Sequence, residues 1–181
     1  MIAVKVNKIS YHSKRKSYAI ILKEIEGERC MPVIIGSFEA QSIAFAIKEL
    51  ETPRPLTHDL ICDFISAVDV SLKAIKIYSL NEGVYFAKII IISKYMGEQI
   101  IDARPSDAIA VALRMNTPIL VSKKVFDKAS VEEKLLFQEK KRKKINEDPL
   151  PELKREMELA IEKEEYELAA ELRDKINKLE V

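Results

Sequence analysis

Residues 70–94 read VSLKAIKIYSLNEGVYFAKIIIISK, two runs rich in Ile, Val and Tyr with an Asn81-Glu82-Gly83 turn between them. Such β-branched and aromatic arms joined by a short Gly-containing turn spell a β-hairpin, Val70–Ser79 against Val84–Lys94. A further turn near Gly97 leads into Gln99–Ala103, so three consecutive strands form an antiparallel meander. Pro105 is then well placed as the first residue of a helix that continues through Ala108, Ile109, Ala112 and Leu113.

The N-terminal region has the same grammar. Ile2–Ile9 alternates apolar with polar residues, Tyr18–Ile25 follows a basic tip at residues 13–17, and Met31–Ile35 ends at Gly36. Ser37 is expected to cap a helix through Glu39, Ala40, Ile43, Ala44, Ile47 and Leu50. Pro53-Arg54-Pro55 breaks that helix, and Thr57 is placed to cap another through Leu60, Ile61, Phe64 and Ile65. A short strand, Pro118–Val121, closes the domain. The expected class is α+β over residues 1–128, a mostly antiparallel or mixed sheet with helices packed on it. Residues 129–148 read as a basic helical linker, with Lys140-Lys141-Arg142-Lys143-Lys144 its densest positive run.

Residues 149–181 differ in kind. Leu150, Leu153, Met157 and Ala160 recur at steps of three and four, as do Ala169, Leu172, Ile176 and Leu179. Each set is a narrow apolar stripe on a charged helix, and the charged stretch at residues 162–165 folds the two into a hairpin. A hairpin cannot hide both stripes within itself, and short isolated helices are marginal in water. Leu153, Met157, Ala169, Leu172, Ile176 and Leu179 are therefore the expected partner-binding residues. Two hairpins could pair as a four-helix bundle, so a homo-oligomer is expected as well.

Composition narrows the function classes. A hydrophobic content of 48% supports a real core, and a net charge of +1 excludes a strong global bias toward nucleic acid or membrane. Cys30 and Cys62, far apart among apolar neighbours, read as buried reduced thiols. Met1 leads straight into a strand, and the apolar run at Ile89–Ile92 is far too short to span a bilayer. A soluble, cytoplasmic protein with no membrane partner is expected. Scarce Asn and Gln beside abundant Lys, Glu and Ile is a bias of thermophilic proteins.

Two strings could carry chemistry: Arg54-Pro55-Leu56-Thr57-His58-Asp59-Leu60 and Asp102-Ala103-Arg104-Pro105-Ser106-Asp107-Ala108. Each puts an Arg and an acid at a loop-to-helix junction, where free N–H groups and the helix dipole favour phosphate. Arg54 and Arg104 are the candidate substrate-binding residues. Asp59, Asp102 and Asp107 could ligate Mg²⁺ or Mn²⁺, with Glu39 a further candidate acid. His58 could move a proton near neutral pH. The same residues also have an architectural reading: acids in a first helical turn compensate the dipole, Arg beside acids forms ion pairs, and a first-turn His is commonly a surface residue. Spacing alone reveals no zinc site, P-loop or Ser–His–Asp arrangement.

Two resemblances add to this. Leu153-Lys154-Arg155-Glu156-Met157-Glu158-Leu159-Ala160 and Tyr166-Glu167-Leu168-Ala169-Ala170-Glu171-Leu172-Arg173-Asp174-Lys175-Ile176 closely resemble the UVR motif of bacterial nucleotide-excision repair subunits and some protease adaptors. The resemblance implies protein–protein docking. It departs at the turn, where Glu165-Tyr166 stands in place of Asp-Phe, and Glu caps a helix less well than Asp.

Met31-Pro32-Val33-Ile34-Ile35-Gly36, Glu39-Ala40 and the two Arg-bearing strings resemble the bifunctional nuclease domain family over about residues 1–128. That family occurs in bacteria, archaea and plants, and in bacteria its domain often carries a UVR hairpin. The resemblance implies nuclease activity on RNA and single-stranded DNA, attributed mostly to plant members. The motif positions that carry over are Glu39, Arg54, His58, Asp59, Arg104 and Asp107. Two functions remain open from the sequence. One is a metal-assisted nuclease with a docking hairpin, its catalytic candidates Glu39, His58, Asp59 and Asp107. The other is a non-catalytic adaptor or ligand-binding oligomeric module that recruits a repair or proteolysis partner.

Overall fold

Two antiparallel meanders share one sheet through a short central strand. The computed structural model describes residues 1–12, 17–50, 52–132, 153, 157–158, 161 and 166–179. Strands β1 (Ile2–His12), β2 (Ser17–Glu24) and β3 (Arg29–Ile35) form the first meander; β4 (Val70–Asn81), β5 (Val84–Ser93) and β6 (Gly97–Ala103) form the second. Between β4 and β5, Glu82 and Gly83 take φ values of +48° and +83°, the double positive φ of a tight hairpin turn. Strand β7 (Ile119–Val121) is central rather than terminal. It runs antiparallel to β1 and parallel to β4, which makes the sheet mixed. The eight-stranded order is β6-β5-β4-β7-β1-β2-β3-β8, with β8 at Val131–Glu132.

Register explains the core. Ile75 pairs with Ile89 and Ile119, Ile77 with Ala87 and Val121, Ile20 with Val33, and Leu22 with Met31. All of these belong to one buried cluster, so one sheet face gathers the apolar set. Onto it pack α1 (Ser37–Ile47) through Ala40 and Ile43, α3 (Pro105–Arg114) through Ala108, Ile109 and Ala112, and α4 (Lys123–Ala129) through Val125 and Phe126. The small residues of α3 let α1 and α2 (Thr57–Ala67) approach it closely. Helix α2 buries no residue fully; Leu60 and Phe64 are 62% and 67% exposed.

The α+β class and the six long strands agree with the sequence reading. Other details depart from it. Ser37 and Thr57 are the first helical residues, while Gly36 and Leu56 hold the capping positions without a side-chain cap bond. Helix α1 stops at Ile47, before Leu50. Helix α4 occupies a stretch to which the sequence reading assigns no element, capped by the Ser122 hydroxyl, which accepts from the Val125 N–H at 3.3 Å. The helix expected from Ser130 does not begin there: Ser130 is extended and Val131–Glu132 pair with β3. The rest of that linker, including Lys140–Lys144, lies outside the described residues, as do Lys14, Arg15 and Lys16. Cys30 is buried and Cys62 only half-buried, and no disulfide joins them. Among the described residues no helix is long and apolar enough to cross a membrane.

The chain divides into two compact units, Met1–Glu133 and Lys134–Val181. In the second, α5 (Tyr166–Leu179) follows the expected stripe. Leu172 and Ile176 are buried, and Leu153 and Met157, both helical, pack on Leu172. The turn at residues 162–165, most of the first helix and the side chains of Ala169 and Leu179 lie outside the described residues.

Candidate active site

Three helices start alike. Helices α1, α2 and α3 each follow an extended residue and carry an acid in the first turn, Glu39, Asp59 and Asp107. A carboxylate there offsets the positive end of the helix dipole. Their surroundings then divide the three acids, Glu39 and Asp107 meeting at Arg104 while Asp59 pairs with Arg114.

Asp59 is an anchor. Its Oδ2 accepts from the Leu56 N–H at 2.8 Å, and its Oδ1 accepts from Arg114 Nε at 2.5 Å. Arg114, the last residue of α3, is only 10% exposed and also donates to the Ala110 carbonyl at 3.0 Å. The hydrogen bond from Arg114 holds Asp59 below the usual carboxylate range; burial opposes it and the Leu56 N–H reinforces it. Asp59 lines a cleft of about 650 Å³ with Glu49, Asp63 and Arg114, away from His58.

Asp107 belongs to a cluster. Its Oδ2 accepts from Arg104 Nε at 2.7 Å and its Oδ1 from Arg104 Nη2 at 3.0 Å, a bidentate pair. Arg104 Nη1 donates to Glu39 Oε1 at 3.1 Å. On the other side, His58 Nε2 lies 3.4 Å from Asp107 Oδ1, and His58 Nδ1 lies 2.9 Å from Ser42 Oγ. Burial pushes Asp107 up, but the bonds from Arg104 and His58 outweigh it and leave the carboxyl below its usual range. Asp107 is therefore an anion at neutral pH and can only accept.

That fixes the tautomer of His58. Nε2 carries the proton and donates to Asp107, so in the neutral ring Nδ1 is the acceptor and the Ser42 hydroxyl donates to it. The sequence reading missed Ser42. The signal was there: Ser42 lies three residues beyond Glu39, on the same helical face as that acid.

Glu39, Ser42, His58, Arg104 and Asp107 line a cleft of about 210 Å³ with Leu56 and Thr57. A second cleft of about 350 Å³, between the β3–α1 junction, Gly83–Tyr85 and Arg104–Ser106, shares Glu39 and Arg104 with it. The Arg104 side chain is 67% exposed, whereas His58 and Asp107 are 16% and 29% exposed. The relay is shielded and its cation is reachable.

The other candidates do not join them. Arg54 is exposed on the loop before α2 and lines neither cleft. Asp102 is opposite Lys88 on the exposed edge strand β6. The set Asp59, Asp102 and Asp107 thus has three separate locations and does not fit a shared ion. Among the described residues no three His, Cys, Asp or Glu side chains are grouped to hold a metal.

Comparison with known proteins places the chain, rather than any one residue, in a family. Residues 20–134 match the profile of the Bifunctional nuclease domain. The chain belongs to that family. Residues 147–181 match the UvrB/uvrC motif. An uncharacterized protein of Mycobacterium tuberculosis is 39% identical over 128 residues, which span 71% of this chain and 76% of that protein. Bifunctional nuclease 2 of Arabidopsis thaliana is 28% identical over 186 residues, covering 90% of this chain and 55% of the relative. Bifunctional nuclease 1 of the same plant is 24% identical over 184 residues, again 55% of its length. This chain spans about half the length of those plant relatives.

Proposed function

We propose that the cleft between α1, α2 and α3 hydrolyses phosphodiester bonds in RNA or single-stranded DNA, and that the C-terminal motif docks a protein partner. The observation that carries the first part is an imidazole held between a hydroxyl and an ionised carboxylate, beside an exposed arginine. A proton acceptor and a phosphate-binding cation are what in-line displacement at phosphorus requires. Three of the five N–H groups of Arg104 go to Asp107 and Glu39, leaving two for phosphate oxygens. The adjoining cleft across the Glu39–Arg104 pair gives room for a flanking nucleotide. Arg54, exposed before α2, is in reach of a longer strand rather than of the scissile phosphate. The names of the plant relatives support the same reading.

The test is cleavage of labelled single-stranded RNA and DNA by the full chain, in Mg²⁺, Mn²⁺ or EDTA, beside His58→Ala, Asp107→Asn and Asp59→Asn. Loss of cleavage in the first two with retention in the third supports the cleft. Equal cleavage by all four proteins, or none by any, refutes it. The EDTA arm separates an ion-assisted reaction from one carried by protein groups alone.

The docking part rests on the UvrB/uvrC match and on Ile161 and Leu168, which remain 50% and 44% exposed in the C-terminal unit. Leu172 packs inside the unit against Leu153 and Met157, and Ile176 is buried as well, so neither offers an exposed docking surface. Leu168→Glu should weaken a partner's capture without unfolding α5, and equal capture by the variant would remove that surface from the proposal.

A further inference from the structure

We propose that Ser42 is the nucleophile of a Ser42–His58–Asp107 triad, so that cleavage passes through a covalent phosphoryl-serine. This deepens the phosphodiesterase reading and rests on it. The three members come from α1, α2 and α3, and no two are neighbours in the chain. Their proton order is that of a nucleophilic triad: hydroxyl donating to an imidazole nitrogen, the other nitrogen donating to a carboxylate. Here Nδ1 faces the hydroxyl and Nε2 the acid. Either ring nitrogen can fill either role, since a neutral imidazole has one acceptor and one donor whichever way it is turned. The 3.4 Å His58–Asp107 separation is within what tightens when a ligand binds.

Placement agrees. Ser42 is half-buried and lines the same cleft as Glu39 and Arg104, the cation that would hold a phosphate. The first-turn residues Thr57 and His58 of α2 line the same cleft, and first-turn N–H groups lack intrahelical acceptors.

The step balances without an added co-reactant. The Ser42 proton passes to Nδ1 as Oγ bonds to phosphorus, and the bond from phosphorus to the leaving nucleoside oxygen breaks. That oxygen takes the proton from Nδ1. Water then attacks phosphorus and gives a proton to Nδ1, the Oγ–P bond breaks, and Ser42 recovers its proton. The net reaction is diester plus water giving a monoester and an alcohol.

The experiment treats the full chain with diisopropyl fluorophosphate, whose P–F bond the same nucleophile would break, and maps the adduct by mass spectrometry. The same preparations are assayed for RNA cleavage. One diisopropylphosphoryl group on Ser42 is expected in wild type and in the control Ser66→Ala, none in Ser42→Ala, and labelling at least about 100-fold slower in His58→Ala. Ser42→Ala should also lose cleavage at least about 100-fold with an unchanged melting temperature. A wild type that cleaves RNA but leaves Ser42 unlabelled overturns the proposal, as does a Ser42→Ala protein that cleaves like wild type. Ser42 labelled in a chain that cleaves no nucleic acid keeps the triad and removes the nuclease reading instead.

Discussion

Asp59 and Asp107 hold the same place in successive helix starts, and each is paired with an arginine, yet they do opposite work. Arg114 is 10% exposed and bonded to the Ala110 carbonyl, so its pair with Asp59 fastens α2 to α3. Arg104 is 67% exposed, so its pair with Asp107 stays open to a ligand. The difference comes from which end of α3 supplies the arginine. At its C-terminal end the guanidinium is largely shielded and tied to α2 through Asp59; at its N-terminal end it stands exposed on a cleft wall. A first-turn acid beside an arginine is therefore not a functional signature until the arginine's exposure is known.

The largest effect that sharpens this contrast is catalytic. His58→Ala and Asp107→Asn should each lower kcat/KM for RNA at least about 100-fold, roughly 2.7 kcal/mol of transition-state stabilisation. Asp107→Asn should leave stability within about 1 kcal/mol, because its partner is exposed. Urea denaturation beside the cleavage assay checks both. Next comes Asp59→Asn, which should lower unfolding free energy by about 2 kcal/mol, since it strips a shielded guanidinium of its partner. Its kcat should stay within a few-fold. If Asp59→Asn is stable but inactive, the two acids have been assigned the wrong way round.

Much of the scaffold was legible because it follows from local chemistry. Val70–Ala103 is rich in β-branched and aromatic residues, turns at Asn81-Glu82-Gly83 and meets Pro105, and each signal acts within a few residues. The position of β7 was not legible, since a three-residue apolar strand carries no information about which neighbours it will have. The same limit applies at the site. His58, Arg104 and Asp107 could be named from their helix-start strings, but their sorting into one cluster, with Asp59 left out, depends on contacts across 49 and 55 residues. Ser42 was missed for that reason too: its spacing from Glu39 put it on that acid's helical face, but a serine inside a helix looks like surface until the histidine 16 residues on arrives beside it.

Acid titration gives a smaller and graded test. Asp59 and Asp107 are both held below the usual carboxylate range. Their stabilisation is fully present above the unfolded value, about 3.9, and is lost as pH falls through the lowered folded values. The stability gap between wild type and Asp59→Asn should therefore be constant near neutral pH and close progressively below about pH 4. Urea midpoints at a series of pH values would show it. A gap that persists unchanged at low pH would mean that Asp59 anchors α2 by packing rather than by charge.

Glu39 is the third first-turn acid, and Gly36 isolates its part. A Cβ on Gly36 would come within 2.4 Å of Glu39 Oε2. Gly36 has φ −77°, open to any residue, so Ala costs nothing in the backbone and removes some unfolded-state freedom. The carboxylate tip, not the chain, must move, and that disturbs the bond it accepts from Arg104 Nη1 without touching the Arg104–Asp107 pair. Gly36→Ala should therefore leave stability within about 0.5–1 kcal/mol. If Glu39 serves only to aim Arg104, KM should rise by about two- to five-fold with kcat nearly unchanged, the mark of lost uniform binding. A fall in kcat as deep as that of Asp107→Asn would instead put Glu39 in the chemistry. The division would then run between two first-turn acids that serve the cleft and one that serves the fold.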